Sequence, residues 1–227
     1  MQRKTVTFTL LWVLAGALKV FGETSEQIWV DYNPSWWPAE GIELFGDVGA
    51  RTEIGNDEWW RFVVRPSVGF PTGRFRIAAG IGNFFTVNNV INDRWELRPF
   101  QGVSTVWPKG RFSLEHYLRL EERFDFNTGT WNSLNSLRLR YQLLASYRWS
   151  AHQTRRQWSV VGIAEPFVKL AGDEGLQREQ FRITAGLQRD VGEKGSVRFE
   201  FSWQQETLFF SPSGTIDEFF LRLRIFR

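Results

Sequence analysis

Apolar and polar residues alternate along most of this chain with a period of two. In the segment 112–124 one face carries Ser113, Glu115, Tyr117, Arg119, Glu121 and Arg123, and the other face is almost entirely apolar. Period-two alternation predicts β-strands, and no long stretch shows the 3.6-residue repeat of a helix. About eleven stretches of strand length follow residue 26, so we expect an all-β chain; the clearest of the others are 59–70, 74–85, 94–107, 136–149, 158–170, 180–189, 196–207 and 218–226.

The connections between these stretches alternate in length. Short turns rich in proline and glycine lie at 38–41, 71–73, 108–110 and 192–195, and longer polar connections lie at 52–58, 86–93, 125–132, 171–179 and 208–216. Tight turns at one end and long loops at the other are typical of outer-membrane barrels. The sequence therefore predicts a transmembrane antiparallel up-and-down β-barrel.

An even number of strands closes such a hairpin barrel. We expect about ten strands, with twelve as the alternative, formed by residues 41–227. Residues 23–40, which contain Pro34 and Pro38, are then surplus to the wall. We expect this segment at the periplasmic rim or inside the lumen.

Alternation alone does not decide whether the apolar face points into a core or towards lipid, and a soluble lipocalin-like barrel is the alternative. Three features favour the interpretation that the apolar face points towards lipid. Many strands reach the ~9–11 residues that cross a bilayer at a tilt. Full charges, mainly arginine, recur at successive positions of the polar face. Tryptophans that could form an aromatic girdle lie near predicted strand ends, at Trp36, Trp37, Trp59, Trp60, Trp107, Trp149 and Trp158.

The first 22 residues have the pattern of a secretory signal peptide. Arg3 and Lys4 precede the apolar run 6–18, and Gly22 ends a plausible cleavage site. An N-terminal anchor helix is the alternative, but the run is shorter than the ~20 residues that a span requires. We therefore expect export to the outer membrane of a Gram-negative bacterium.

Composition narrows the possible functions. Residues 1–22 contribute three basic and no acidic side chains, so the mature chain would carry 25 of each. The basic excess thus gives no support for nucleic-acid binding. The chain has no cysteine, which excludes disulfides and thiolate metal sites. We find no pattern for a cofactor or a metal, and the oligomeric state is left open.

Several short motifs occur in a fixed order. Glu96-x-Arg98 precedes the strand 118–124, and Arg138-x-Arg140-Tyr141 follows it. Together with 179–182 and Gly186, these motifs resemble an uncharacterised family of Gram-negative outer-membrane β-barrels that contain a domain of unknown function; Tyr117 stands where its pattern has arginine. The resemblance implies the fold and the location, but no activity. Phe226 near the C-terminus is the kind of residue that the outer-membrane insertion machinery reads, so we expect that machinery and the lipid bilayer as partners.

The inward face of the predicted barrel supplies the candidate functional residues. Arginines outnumber acids there, which favours anions in a pore, and our first hypothesis is a narrow porin-like or solute channel. The alternative is a non-conducting structural or surface-interaction barrel, filled by salt bridges or displaying its long loops. The lumen-lining candidates are Arg61, Arg65, Arg76, Glu96, Arg98, Glu115, Arg119, Glu121, Arg123, Arg138, Arg140, Glu165, Arg182, Arg198, Glu200, Arg222 and Arg224.

A membrane-embedded lipid hydrolase is the third hypothesis. Such an enzyme needs a histidine base beside a hydroxyl nucleophile. The chain has only His116, on the apolar face, and His152, in a turn. Neither position indicates catalysis, so we predict no catalytic residues.

Overall fold

A computed structural model describes residues 24–108, 110–149, 157–173, 179–192, 195–207 and 215–227. The predicted signal peptide therefore lies outside the described residues. The described residues form no helix that could span a lipid bilayer. The strands are β1 (Thr24–Asn33), β2 (Ser35–Ala39), β3 (Ile42–Glu53), β4 (Asn56–Thr72), β5 (Phe75–Asn88), β6 (Arg94–Val106), β7 (Phe112–Asn127), β8 (Ser133–Arg148), β9 (Trp158–Gly172), β10 (Glu179–Val191), β11 (Gly195–Thr207) and β12 (Thr215–Phe226).

Eleven of the twelve strands close into a barrel. Each strand from β3 to β12 pairs with its sequence neighbour, and β1 joins the two ends by pairing with both β3 and β12. Closure leaves no free edge around this wall, which is the feature that separates a barrel from an open sheet. The prediction of an all-β barrel is confirmed.

The strand number and the role of the N-terminal segment differ from the expectation. We expected residues 23–40 outside a ten-stranded wall, whereas β1 is a wall strand. The ten strands β3–β12 alternate in direction, so β12 runs opposite to β3. Because β1 runs with β12, its pair with β12 is parallel and its pair with β3 is antiparallel. An eleventh strand therefore makes the barrel mixed rather than wholly antiparallel.

The extra strand, β2, continues β1. Tyr32 of β1 pairs with Val48 of β3, and Ser35 of β2 pairs with Phe45 in the same register. Pro34 separates the two strands because proline has no backbone N–H to donate to the ladder. Beyond Pro34, β2 pairs with the beginning of β3 at the lower end of the barrel, which we define as the end where β12 terminates.

The connections are less regular than the sequence suggested. At the upper end, opposite to where β12 terminates, β3 and β4 are joined by Ile54 and Gly55 alone. We expected a longer loop there, but Gly55 has a positive φ of 76°, which allows a two-residue turn. At the lower end, β8 and β9 are separated by residues 149–157.

Side chains are distributed inside-out relative to a soluble protein. Large apolar residues such as Phe62, Ile183 and Phe199 are exposed on the outer surface. Among the buried described residues, polar and charged side chains outnumber hydrophobic ones. Strand alternation therefore places the charged face of each strand inside the barrel.

Candidate functional site: a charged barrel interior

All the candidate residues named from the sequence lie on inward positions of the wall. Sixteen of the seventeen line two cavities in the interior. The exception is Glu121, which is 0 % exposed and enclosed by arginine side chains. The period of two is the reason that the sequence could place these side chains on one face.

Glu121 of β7 is the centre of one charge cluster. Its carboxylate accepts a 2.9 Å hydrogen bond from Nε of Arg138, which lies directly opposite on β8. Arg119 is also ion-paired with Glu121, and Arg98 approaches its carboxylate to 3.9 Å. Charge-assisted hydrogen bonds of this kind are stronger than neutral ones. One carboxylate thus neutralises part of three guanidinium charges.

Glu96 of β6 holds a second cluster nearer the upper end. Both carboxylate oxygens accept hydrogen bonds of 2.7 Å from Nη2 of Arg98. Nε of Arg123 donates to the same carboxylate at 2.6 Å. Arg94, also on β6, pairs with Asp125 of the next strand, β7, at 2.8 Å.

Two further glutamates connect the strands from β8 to β12. Glu165 of β9 is ion-paired with Arg140 and with Arg182, the latter at 3.3 Å. Glu200 of β11 lies within 4 Å of three arginines of β11 and β12, namely Arg198 at 3.3 Å, Arg224 at 3.6 Å and Arg222 at 3.8 Å. The charges therefore cross-link neighbouring strands from the inside.

Asp31 and Asp47 are among the acidic residues of this network that sequence analysis missed, as is Asp125. Asp31 of β1 is 0 % exposed and accepts a 2.5 Å hydrogen bond from Arg222 of β12. Asp47 of β3 binds Arg65 of β4 through two hydrogen bonds of 2.7 and 3.0 Å. Asp31 was missed because its segment was not expected in the wall. The alternation of Asp47 with Val48 was a signal that could have identified the second residue.

The interior contains two cavities stacked along the barrel axis. The upper cavity has a volume of about 470 Å³ and the lower one about 280 Å³. Four arginines line both cavities and form what we call the arginine layer: Arg65, Arg140, Arg182 and Arg222. The upper cavity also borders residues that sequence analysis did not name, among them Trp29, Arg51, Phe84 and Phe167.

The lining of the upper cavity is strongly basic. Ten arginines face four carboxylates there, which are Glu96, Asp125, Glu206 and Glu218. Several guanidinium groups also stack on aromatic rings: Arg51 lies 3.8 Å from the ring centre of Trp29, and Arg98 lies 4.2 Å from that of Phe84. Such contacts stabilise a cation that has left bulk water. Arginines therefore outnumber carboxylates in the lining, although eight of these ten arginines form ion pairs with carboxylates in or behind it.

His116, which the hydrolase hypothesis considers as a base, contacts a tyrosine. Nδ1 of His116, on β7, lies 2.6 Å from the hydroxyl of Tyr141. Tyr141 belongs to the neighbouring strand β8. This contact involves no serine or threonine hydroxyl of the kind a hydrolase uses. His152 lies outside the described residues.

The geometry defines a class of protein, a closed β-barrel with a charged, arginine-rich interior. A comparison of the sequence with models of known families found a match. The model of the family described as "Protein of unknown function (DUF2490)" matches residues 26–213, so the chain belongs to this family. The resemblance to an uncharacterised family is thereby confirmed. A comparison with curated proteins found no match.

Proposed function

We propose that this protein is an outer-membrane β-barrel of a Gram-negative bacterium that gives small anions a narrow path through its lumen. Export by an N-terminal signal peptide at residues 1–22 and insertion by the outer-membrane machinery are parts of this proposal.

The outer surface supports a membrane environment. Exposed apolar patches larger than a few hundred Å² are rare on soluble monomers, whereas outward apolar residues recur here on nearly every strand. Trp107 is 71 % exposed at the lower end of β6, and Trp36 and Trp149 are also exposed near that end. Tryptophan is enriched where a membrane meets water.

The two stacked cavities that meet at the arginine layer carry the proposal of an anion path. Rings of one charge sign set the selectivity of pores. The charged residues that line both cavities are four arginines, so guanidinium groups lie at the level where the two cavities meet. An anion entering either cavity therefore meets guanidinium groups at this level.

Planar bilayer recording of the purified protein tests the proposal. We expect discrete current steps and a reversal potential in a salt gradient that indicates anion selectivity. Arg140→Gln should lower this selectivity, because it removes one charge of the arginine layer while Arg182 still pairs with Glu165. Arg74→Gln is the matched control, because Arg74 lies exposed in the β4–β5 turn and should not alter selectivity.

A non-conducting barrel is the second candidate, and one observation favours it. Every member of the arginine layer is tied to a carboxylate: Arg65 to Asp47, Arg222 to Asp31, and both Arg140 and Arg182 to Glu165. Side chains held in this way fill small barrels. Verified insertion without current steps would contradict the anion path and support this candidate.

A further inference from the structure

Among the residues that the structure describes, three pairs of arginines lie directly opposite each other across neighbouring strands of the inner wall. They are Arg51 with Arg61, Arg119 with Arg140, and Arg198 with Arg224. Directly opposed side chains have Cβ atoms about 4.5–5.5 Å apart, and like charges in such positions destabilise a sheet. Each pair therefore needs a negative charge nearby.

Two of the three pairs have that negative charge within the protein. Arg119 is ion-paired with Glu121, and Arg140 with Glu165. Arg198 and Arg224 share Glu200, at 3.3 and 3.6 Å. These pairs are stabilised without any added ligand.

The pair of Arg51 and Arg61 forms no ion pair with a carboxylate among the described residues, although Asp31 acts electrostatically on Arg51 and Glu96 on Arg61. Within the described part of the chain, neither guanidinium forms an ion pair, and Nε of Arg51 is buried without a hydrogen-bond partner. Arg61 donates its Nε hydrogen to the hydroxyl of Thr86 at 2.8 Å, which is a neutral partner. Asp31 binds Arg222 instead of Arg51.

The surroundings of this pair form a pocket. Both arginines line the upper cavity, whose 470 Å³ falls within the usual range of ligand pockets. Arg51 packs against the ring of Trp29, and Arg61 lies 5.9 Å from the ring centre of Trp59. The Trp29 ring restricts the Arg51 guanidinium and the hydrogen bond to Thr86 restricts that of Arg61, so less conformational freedom is lost when an anion binds.

We propose that Arg51 and Arg61 form a binding site for a small dianion, a phosphate or a short dicarboxylate, within the upper cavity. Two unpaired guanidinium groups match the charge of a dianion, and their planar donor forks suit phosphate and carboxylate oxygens. The bound dianion supplies the negative charge that Glu121, Glu165 and Glu200 supply to the other pairs. This inference deepens the proposed function by naming a ligand class, but it does not depend on conduction.

Isothermal titration calorimetry of the folded protein in detergent tests the site, with inorganic phosphate, succinate and acetate as probes. We expect saturable binding of phosphate or succinate that is tighter than binding of acetate. Arg51→Gln and Arg61→Gln should each weaken it by about tenfold or more, a loss of about 1.4 kcal/mol per tenfold. Arg74→Gln, which changes an exposed turn residue, should bind like the wild type.

The thermal unfolding midpoint of the same variants separates binding from a structural role. Without ligand, both glutamine variants should unfold at the wild-type temperature or higher, because the like-charge pair is relieved. Added phosphate or succinate should raise the wild-type midpoint more than those of the variants. Arg61→Lys keeps the charge and serves as a second variant if Arg61→Gln does not fold; it should retain weakened binding.

Two results would overturn the site. The first is that neither phosphate nor succinate binds saturably at concentrations up to about 10 mM. The second is that both glutamine variants bind with wild-type affinity. The bilayer recording is independent of these measurements. A protein that binds dianions but passes no current supports the site and contradicts the proposed channel. A protein that conducts anions but binds no dianion does the reverse.

Discussion

Glu121 illustrates how single residues stabilise this interior. Its carboxylate has no solvent exposure and lies among Arg98, Arg119 and Arg138. A buried charge is tolerated only where partners replace its hydration, and removing one partner leaves the others uncompensated. Glu121 is therefore more important for stability than its neighbour Glu122, which points outward and is exposed.

We predict that Glu121→Gln lowers the free energy of unfolding by about 3–5 kcal/mol, because three arginines lose their shared negative charge. Urea unfolding of the folded protein in detergent, followed by tryptophan fluorescence, measures the change. Glu122→Gln is the matched control and should change stability by less than about 0.5 kcal/mol. Equal effects of the two substitutions would show that the cluster contributes no net stability.

At the scale of elements, β1 determines how the barrel closes. It contacts β12 on one side and β3 on the other, and Asp31 links it to Arg222 across the parallel pair. Gly49 of β3 faces Asp31 directly: a Cβ atom there would meet the Asp31 carboxylate and lie 2.6 Å from the carbonyl oxygen of Val30. Close approach of β1 to β3 therefore requires a glycine at this position.

We predict that Gly49→Ala destabilises the barrel by about 1–3 kcal/mol, the usual cost of overpacking. The added methyl group would push β1 away from β3 and disturb the ion pair of Asp31. Chemical unfolding in detergent gives the magnitude. Gly162→Ala is the control, because a Cβ at Gly162 meets no atom within 4 Å, and its stability should stay within about 0.5 kcal/mol of the wild type. A Gly49→Ala variant as stable as this control would contradict the requirement for a glycine where β1 approaches β3.

At the scale of the whole molecule, the inverted distribution of side chains decides the solvent in which the barrel is stable. Ile183 of β10 is 48 % exposed at mid-height, next to Arg182 of the arginine layer. Val191 is 54 % exposed at the lower end of the same strand. In water these two positions would be nearly equivalent, whereas a bilayer distinguishes them by depth.

We predict that Ile183→Arg destabilises the protein in phospholipid vesicles by about 2–4 kcal/mol, and Val191→Arg by about 0–1 kcal/mol. The reason is that a guanidinium at the bilayer midplane loses its hydration, while one near the interface reaches water. Urea titration of the vesicle-bound protein measures both changes. Small and equal effects would instead support a barrel with a water-facing outer surface.

The sequence by itself determined the strands and their faces, because a period of two assigns each side chain to one side of a sheet without any knowledge of its partners. This local rule was enough to place Arg138, Glu165 and Arg222 inside. The barrel was also predictable from the sequence, because short turns join strands that are consecutive in the chain and so indicate that consecutive strands pair with each other.

Only the tertiary structure decided which charges meet and how the wall closes, because both depend on register between strands. Glu121 faces Arg138 and Arg51 faces Arg61 through pairings that no single strand specifies. The place of β1 between β3 and β12 depends on contacts with the far end of the chain. Local alternation fixes the side on which a residue lies, but closure of the barrel selects its partners.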